Sequence, residues 1–148
     1  MNDDPTPAEV ALINKEEIAS GPLTEEQELY KENILDYYKN PRNKHELPEY
    51  TLCHREVNSL CGDVVTFFLK IDHEVVQGVS FTGTGCAISQ AAASMLTEKI
   101  KNRSLSEVRH LTGDDVLKLL GIPISHLRLK CALLCLKAVM NGVEDYHR

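Results

Sequence analysis

Val64-Val65-Thr66-Phe67-Phe68-Leu69-Lys70-Ile71, then Asp72-His73-Glu74, then Val75 to Thr82, then Gly83-Thr84-Gly85-Cys86-Ala87-Ile88-Ser89: along these residues the hydrophobic period changes from two to that of a helix. Val65, Phe67, Leu69 and Ile71 alternate with Thr66, Phe68 and Lys70, which predicts a strand with one face turned to a core. The polar break at 72–74 and the second apolar run predict an antiparallel hairpin, with another strand from about Thr51 to Val57 beside it. Past Gly85, Ile88, Ala91, Ala92, Met95, Leu96 and Ile100 mark one stripe of a helix.

The flanks extend the pattern. Thr24-Glu25-Glu26-Gln27 predicts a capping box, with Tyr30, Ile34, Tyr37 and Tyr38 on the buried face of a helix that stops at Asn40-Pro41. Downstream, Ser104-Leu105-Ser106-Glu107 opens a short helix as a second capping box. Thr112 to Leu120 forms another, stopped by Gly121 and Pro123, and the last helix runs from about Arg128 to Val143. The expected class is α+β: an N-terminal helix, a small three-stranded antiparallel sheet, and several C-terminal helices packed on one face.

A chain of 148 residues, 43% of them hydrophobic, suffices for one core. One domain over 23–148 is expected, preceded by an acidic, loosely ordered leader over 1–22 with Pro5, Pro7, Gly21 and Pro22. The formal charge of -6 belongs to that end: residues 1–28 carry eight acidic side chains against Lys15 alone, and the remainder sums to +1. No basic stripe speaks for nucleic acid. No apolar run approaches the ~20 residues of a membrane span and no secretory signal opens the chain, so a cytoplasmic protein without a membrane partner is expected.

Five cysteines without an export signal favour thiol or metal chemistry over a disulfide framework. Cys61-Gly62-Asp63 sits at a junction where Gly62 can adopt backbone angles closed to other residues and turn a thiolate and a carboxylate to one point. Its alternative is a surface turn. Cys86, flanked by glycine, stands where a strand gives way to a helix, whose unsatisfied N–H groups favour a thiolate; the alternative is a small buried turn residue. Cys131 also falls near a helix start, beside Lys130 and close to Arg128, so a dipole and two cations would favour its thiolate. Lys130 and Arg128 are assigned to electrostatics or partner contact. Cys135, amid leucines, is expected as core packing, Cys53 as a half-buried strand residue, and His54 and His126 as surface side chains. Three thiolates and a carboxylate suit tetrahedral zinc, and the same thiolates suit an iron–sulfur cluster.

With these residues in view, the chain resembles the cluster-assembly scaffold family that includes IscU, SufU and the N-terminal domain of NifU. The resemblance runs from about Leu29 to the C-terminus. It rests on Leu29-Tyr30, Pro41-Arg42-Asn43, Asn58 with Cys61-Gly62-Asp63, Gly85-Cys86-Ala87-Ile88-Ser89 and Lys130-Cys131-Ala132, the three cysteines lying 25 and 45 positions apart. It implies a scaffold that accepts sulfur from a cysteine desulfurase, assembles a transient [2Fe-2S] cluster and transfers it to apo iron–sulfur acceptor proteins.

By motif matching, Cys61, Asp63, Cys86 and Cys131 take the family's ligand positions, with Cys61 and Cys131 the candidate sulfur acceptors. The resemblance also implies Zn²⁺ as an occupant of the isolated protein. Lys130 stands where IscU-type members have histidine. That resembles the SufU type and brings in a second expectation, a zinc-dependent sulfurtransferase taking persulfide sulfur from a desulfurase. SufU-type members usually carry an insertion between the second and third cysteines, for which the interval here leaves little room. The Leu-Pro-Pro-Val-Lys segment by which IscU engages an Hsp70-type chaperone is replaced by Gly121-Ile122-Pro123-Ile124-Ser125, so the resemblance does not carry that partner over.

Overall fold

A computed structural model describes residues 22–147. The leader lies outside the described residues except for Pro22. Helix α1 spans Glu25–Lys39 and begins on the capping box expected from its sequence: Gln27 N–H donates to Thr24 Oγ1 (3.1 Å) and Thr24 N–H to Gln27 Oε1 (3.0 Å). Ile34 is fully buried, and Tyr30, Tyr37 and Tyr38 pack, partly buried, against the same core. After Asn40, Arg42 crosses to the next helix, where its N–H donates to Ser94 Oγ at 2.7 Å. Its guanidinium pairs with Asp36 and lies 3.9 Å from the Tyr37 ring centre.

Three strands follow, β1 (Leu52–Asn58), β2 (Asp63–Asp72) and β3 (Val75–Thr84), antiparallel and in that spatial order. The expected alternation holds on the inner face, where Val65, Phe67, Leu69 and Ile71 are buried. Phe68 is buried as well, on the outer face, where the Tyr50 ring meets it edge-on. The β2–β3 turn places His73 and Glu74 both at positive φ (52° and 61°), the twist-matched two-residue hairpin.

Helix α2 (Ala87–Ile100), the short α3 (Leu105–Arg109), α4 (Gly113–Leu120) and α5 (Leu129–Tyr146) complete the order, with a single 3₁₀ turn at His126–Arg128 before α5. Helices α2 and α5 pack on each other and on the inner face of the sheet; α1 lies against α2, and α4 against both. The fold class is the one expected. Two details differ. Ser104 caps α3 by accepting from Glu107 N–H at 3.1 Å, but Glu107 returns to the Ser104 hydroxyl rather than its N–H, and the Ser104 backbone bridges Val75 of β3. Helix α5 also runs three residues beyond Val143, and its far half covers the inward residues of β1.

Candidate metal centre

Three chain junctions meet at one end of the sheet. The β1–β2 loop holds Cys61. Asn58 and Asp63 form the last rung between these strands, and the loop is closed by Cys61 N–H and Gly62 N–H donating to Asn58 O at 3.2 and 2.8 Å. Gly62 takes φ +73°, the left-handed angle the sequence called for. Asp63 opens β2 and is buried at 1% exposure.

Cys86 follows the end of β3 and is the N-cap of α2. Because Val64 pairs with Thr84, the register carries Asp63 to the level of Gly85, and Cys86 follows it as the helix start. The Cys86 N–H donates to Asp63 Oδ1 at 3.0 Å, and its thiol lies 3.9 Å from Oδ2. Gly85 makes this approach possible. Its φ is +153°, and a Cβ there would overlap Asp63 Oδ1 and stand 2.8 Å from both Asp63 Cγ and Ser89 Oγ.

Cys131 is the third residue of α5, fully buried, and completes the cluster: one ligand atom each from Cys61, Asp63 and Cys131 lie within 4.8 Å of one another. Of the four residues expected as a ligand set, Cys61, Asp63 and Cys131 come together, and Cys86 lies beside the group in contact with Asp63. The donor set, three sulfurs and a carboxylate, fits tetrahedral Zn²⁺, and its thiolates fit an iron–sulfur cluster.

The electrostatics of Cys131 differ from expectation. Burial pushes its thiol well above the ordinary thiol range, and hydrogen bonds to Asp63 and Cys61 and the nearby Cys86 push the same way. Desolvation beside a carboxylate outweighs the helix start. The expected cations are also elsewhere. Arg128 directs Nη1 to the exposed Cys61 sulfur (3.8 Å) rather than to Cys131. Lys130 is exposed and lines a groove of about 420 Å³ with Val57, Leu60, Leu133 and Lys137. Leu60 and Leu127 stand out to solvent at 79% and 84% exposure, so an apolar rim flanks the exposed thiol.

The remaining candidates fall outside the site. Cys135 is buried in the core as expected, its thiol pushed up to about 12 by burial. Cys53 is exposed on the outer sheet face instead of half-buried, because it pairs with Phe68 and shares that residue's side. His126 is exposed. His54 is not a plain surface side chain: it is partly buried between Glu56 and Asp145, 3.5 Å from each, and joins β1 to α5. One residue was missed. Asn58, quoted above only as part of a motif, has its Nδ2 3.4 Å from Cys131 Sγ. The sole sequence signal for it was its place three residues before Cys61.

The fold and site define a small α+β domain that brings cysteine thiols and a carboxylate together in a group that could hold a metal ion. Residues 29–148 match the model of the NifU-like N-terminal domain family, and the chain belongs to that family. It is 33% identical over 132 residues to a Bacillus subtilis protein named zinc-dependent sulfurtransferase SufU, covering 78% of this chain and 89% of the relative. It is 38% identical over 136 residues to a Thermotoga maritima protein named iron-sulfur cluster assembly scaffold protein IscU, covering 81% and 96%. A crystal structure from Fervidobacterium islandicum, described as a putative iron-sulfur cluster assembly scaffold protein for the SUF system, shares the fold. It superposes with a TM-score of 0.66 at 24% identity, over 76% of this chain and 94% of that one.

Proposed function

We propose that this protein is an iron–sulfur cluster assembly scaffold. It accepts sulfur from a cysteine desulfurase, carries a transient [2Fe-2S] cluster as cargo on Cys61, Asp63, Cys86 and Cys131, and hands it to apo iron–sulfur proteins. The supporting observation is the convergence of Cys61, Asp63 and Cys131 within 4.8 Å, with Cys86 held on Asp63. The residues divide the work. Asp63 is fixed by the sheet register and Cys86 by its N–H bond to Asp63, whereas Cys61 is open to solvent on a loop and presents its sulfur to an incoming donor. A hard carboxylate among soft thiolates is a ligand that an acceptor thiol can displace, which suits a carrier.

The scaffold domain is residues 23–148, distinct from the acidic leader, and its five free thiols suit a reducing cytoplasm. Among the described residues no helix is long and apolar enough to cross a membrane. Anaerobic reconstitution with iron, sulfide and reductant tests the reading: a chromophore in the visible is expected, lost in Cys61→Ala, Cys86→Ala and Cys131→Ala. A protein that stays colourless or binds zinc alone under every condition refutes it.

The exposed Cys61 beside Arg128, together with Lys130, favours a second reading, a zinc-dependent sulfurtransferase. Zn²⁺ bound by the same four residues would hold thiolates deprotonated and in place. The Cys61 thiolate would attack the outer sulfur of the desulfurase persulfide, breaking its S–S bond and releasing the desulfurase thiolate. This reading requires desulfurase turnover to rise strongly with the zinc-loaded protein and to lose that rise in Cys61→Ala.

A further inference from the structure

We propose that Asn58 is a positioning residue of the metal centre, holding Cys131 in ligand geometry and tuning its sulfur through an N–H···S hydrogen bond. The proposal rests on the reading of Cys131 as a metal ligand. Every polar group of Asn58 beyond the strand ladder is committed to the site. Its carbonyl accepts from Cys61 N–H and Gly62 N–H, its Oδ1 accepts from Leu60 N–H at 3.3 Å, and its Nδ2 donates to Cys131 Sγ at 3.4 Å. The residue is 8% exposed.

The orientation of the amide is fixed by chemistry. A flipped carboxamide would aim its NH₂ at the Leu60 N–H, donor against donor, so the oxygen faces the loop and the NH₂ faces sulfur. Aspartate or serine would serve the loop equally well, since each accepts from a backbone N–H two residues on. Asparagine alone of the three closes the loop and also offers sulfur a carboxamide N–H, without adding negative charge beside Asp63 and three thiols. One side chain therefore couples the exposed ligand loop to the buried ligand on α5, 73 residues away in sequence.

A hydrogen bond to a coordinated thiolate draws electron density from sulfur, so its loss makes the sulfur a stronger donor and lowers the energy of thiolate-to-metal charge transfer. Outer-sphere partners of this kind are typically worth about 10- to 100-fold in metal affinity. The test uses the full chain loaded with Co²⁺, with Asn58→Ser and Asn58→Asp as variants that keep an acceptor for Leu60. The expected result is a charge-transfer band shifted to longer wavelength in both, and for Asn58→Ser a Zn²⁺ affinity lower by about tenfold or more. A band and an affinity unchanged from wild type overturn the proposal.

If the variants do not fold, the unmutated protein loaded with ¹¹³Cd²⁺ gives the answer. Scalar coupling between ¹¹³Cd and an Asn58 Nδ2 proton supports the hydrogen bond, and its absence, with the ¹¹³Cd resonance in the thiolate-ligated range, overturns it. A wild-type protein that binds neither ion through sulfur refutes the metal-site reading itself, and the proposal with it.

Discussion

Gly85→Ala isolates the contact on which the site's rigid half depends. Gly85 is held at φ +153°, and an added Cβ would collide with Asp63 Oδ1. Asp63 is buried and anchored by Cys86 N–H at 3.0 Å, so the collision cannot be relieved by swinging the carboxylate into water. Loss of that charge-assisted hydrogen bond costs about 1.5–3 kcal/mol. The backbone angle adds about 1–3 kcal/mol for a residue with a Cβ. The expected destabilisation is about 3–5 kcal/mol, or a melting temperature lower by about 10–15 °C for a chain of this size.

Gly62→Ala is the control. Gly62 is also at positive φ (+73°), but nothing lies within 4 Å of its missing Cβ, so only the backbone cost of about 1–2 kcal/mol applies. Urea unfolding of both variants in the presence of a chelator measures the difference, and zinc titration reads the site, with Gly85→Ala losing more affinity. Equal unfolding free energies for the two variants would refute the claim that Asp63 is pressed against a glycine-only gap.

The metal-free protein should lose stability in alkali. The folded Cys135 thiol titrates near 12 against an ordinary 9.0, so its contribution is complete below about pH 9 and is lost as pH rises toward 12, at about 1.4 kcal/mol per pH unit between them. Cys131 shifts in the same direction, so Cys135→Ala should flatten the slope measured by urea unfolding from pH 8 to 10.5 without abolishing it; an unchanged slope contradicts the assignment. Arg128→Ala should lower the ratio of Cys61 alkylation by anionic iodoacetate to that by neutral iodoacetamide severalfold, because the guanidinium 3.8 Å from sulfur attracts the anion; an unaltered ratio removes Arg128 from the electrostatics of the site. Thr24→Ala should cost about 1 kcal/mol of stability with no change in zinc affinity, and a loss of affinity would place the start of α1 in the site.

What could be read in the sequence was local. The capping box at Thr24, the alternation through β2 and the apolar stripe of α2 each report a period or a cap within a few residues, and each element formed where its signal lay. The reciprocal cap of α4 was not read, because aspartate at Asp115 replaces the usual Glu or Gln. Phe68 was assigned to the wetter face because the covering ring, Tyr50, comes from outside the sheet. The site followed the same rule. Gly62 and Gly85 announced their turns, but the sign of the shift at Cys131 is set first by burial of its sulfur and then by Asp63 and Cys61, all of which come only with the packing of α5. Arg128 on Cys61, Asn58 on Cys131 and His54 between Glu56 and Asp145 are likewise contacts across the fold.

The sheet gives the proposed metal centre its precision, because its candidate ligands lie at or just past strand ends. Asp63 is paired with Asn58 on one side, and Cys86 lies two residues past Thr84, whose partner is Val64. A one-residue slip of β2 would send Asp63 to the outer face together with Val65, Phe67 and Leu69, so the register that buries those three residues also aims the carboxylate inward. Cys131 is held by a different device, the packing of α5 against β1 and β2. Cys61 is held least, by a loop closed on Asn58. Ligand constraint thus decreases from Asp63 and Cys86 through Cys131 to Cys61. A site graded in this way can keep its shape at the sheet while its exposed sulfur exchanges with a partner.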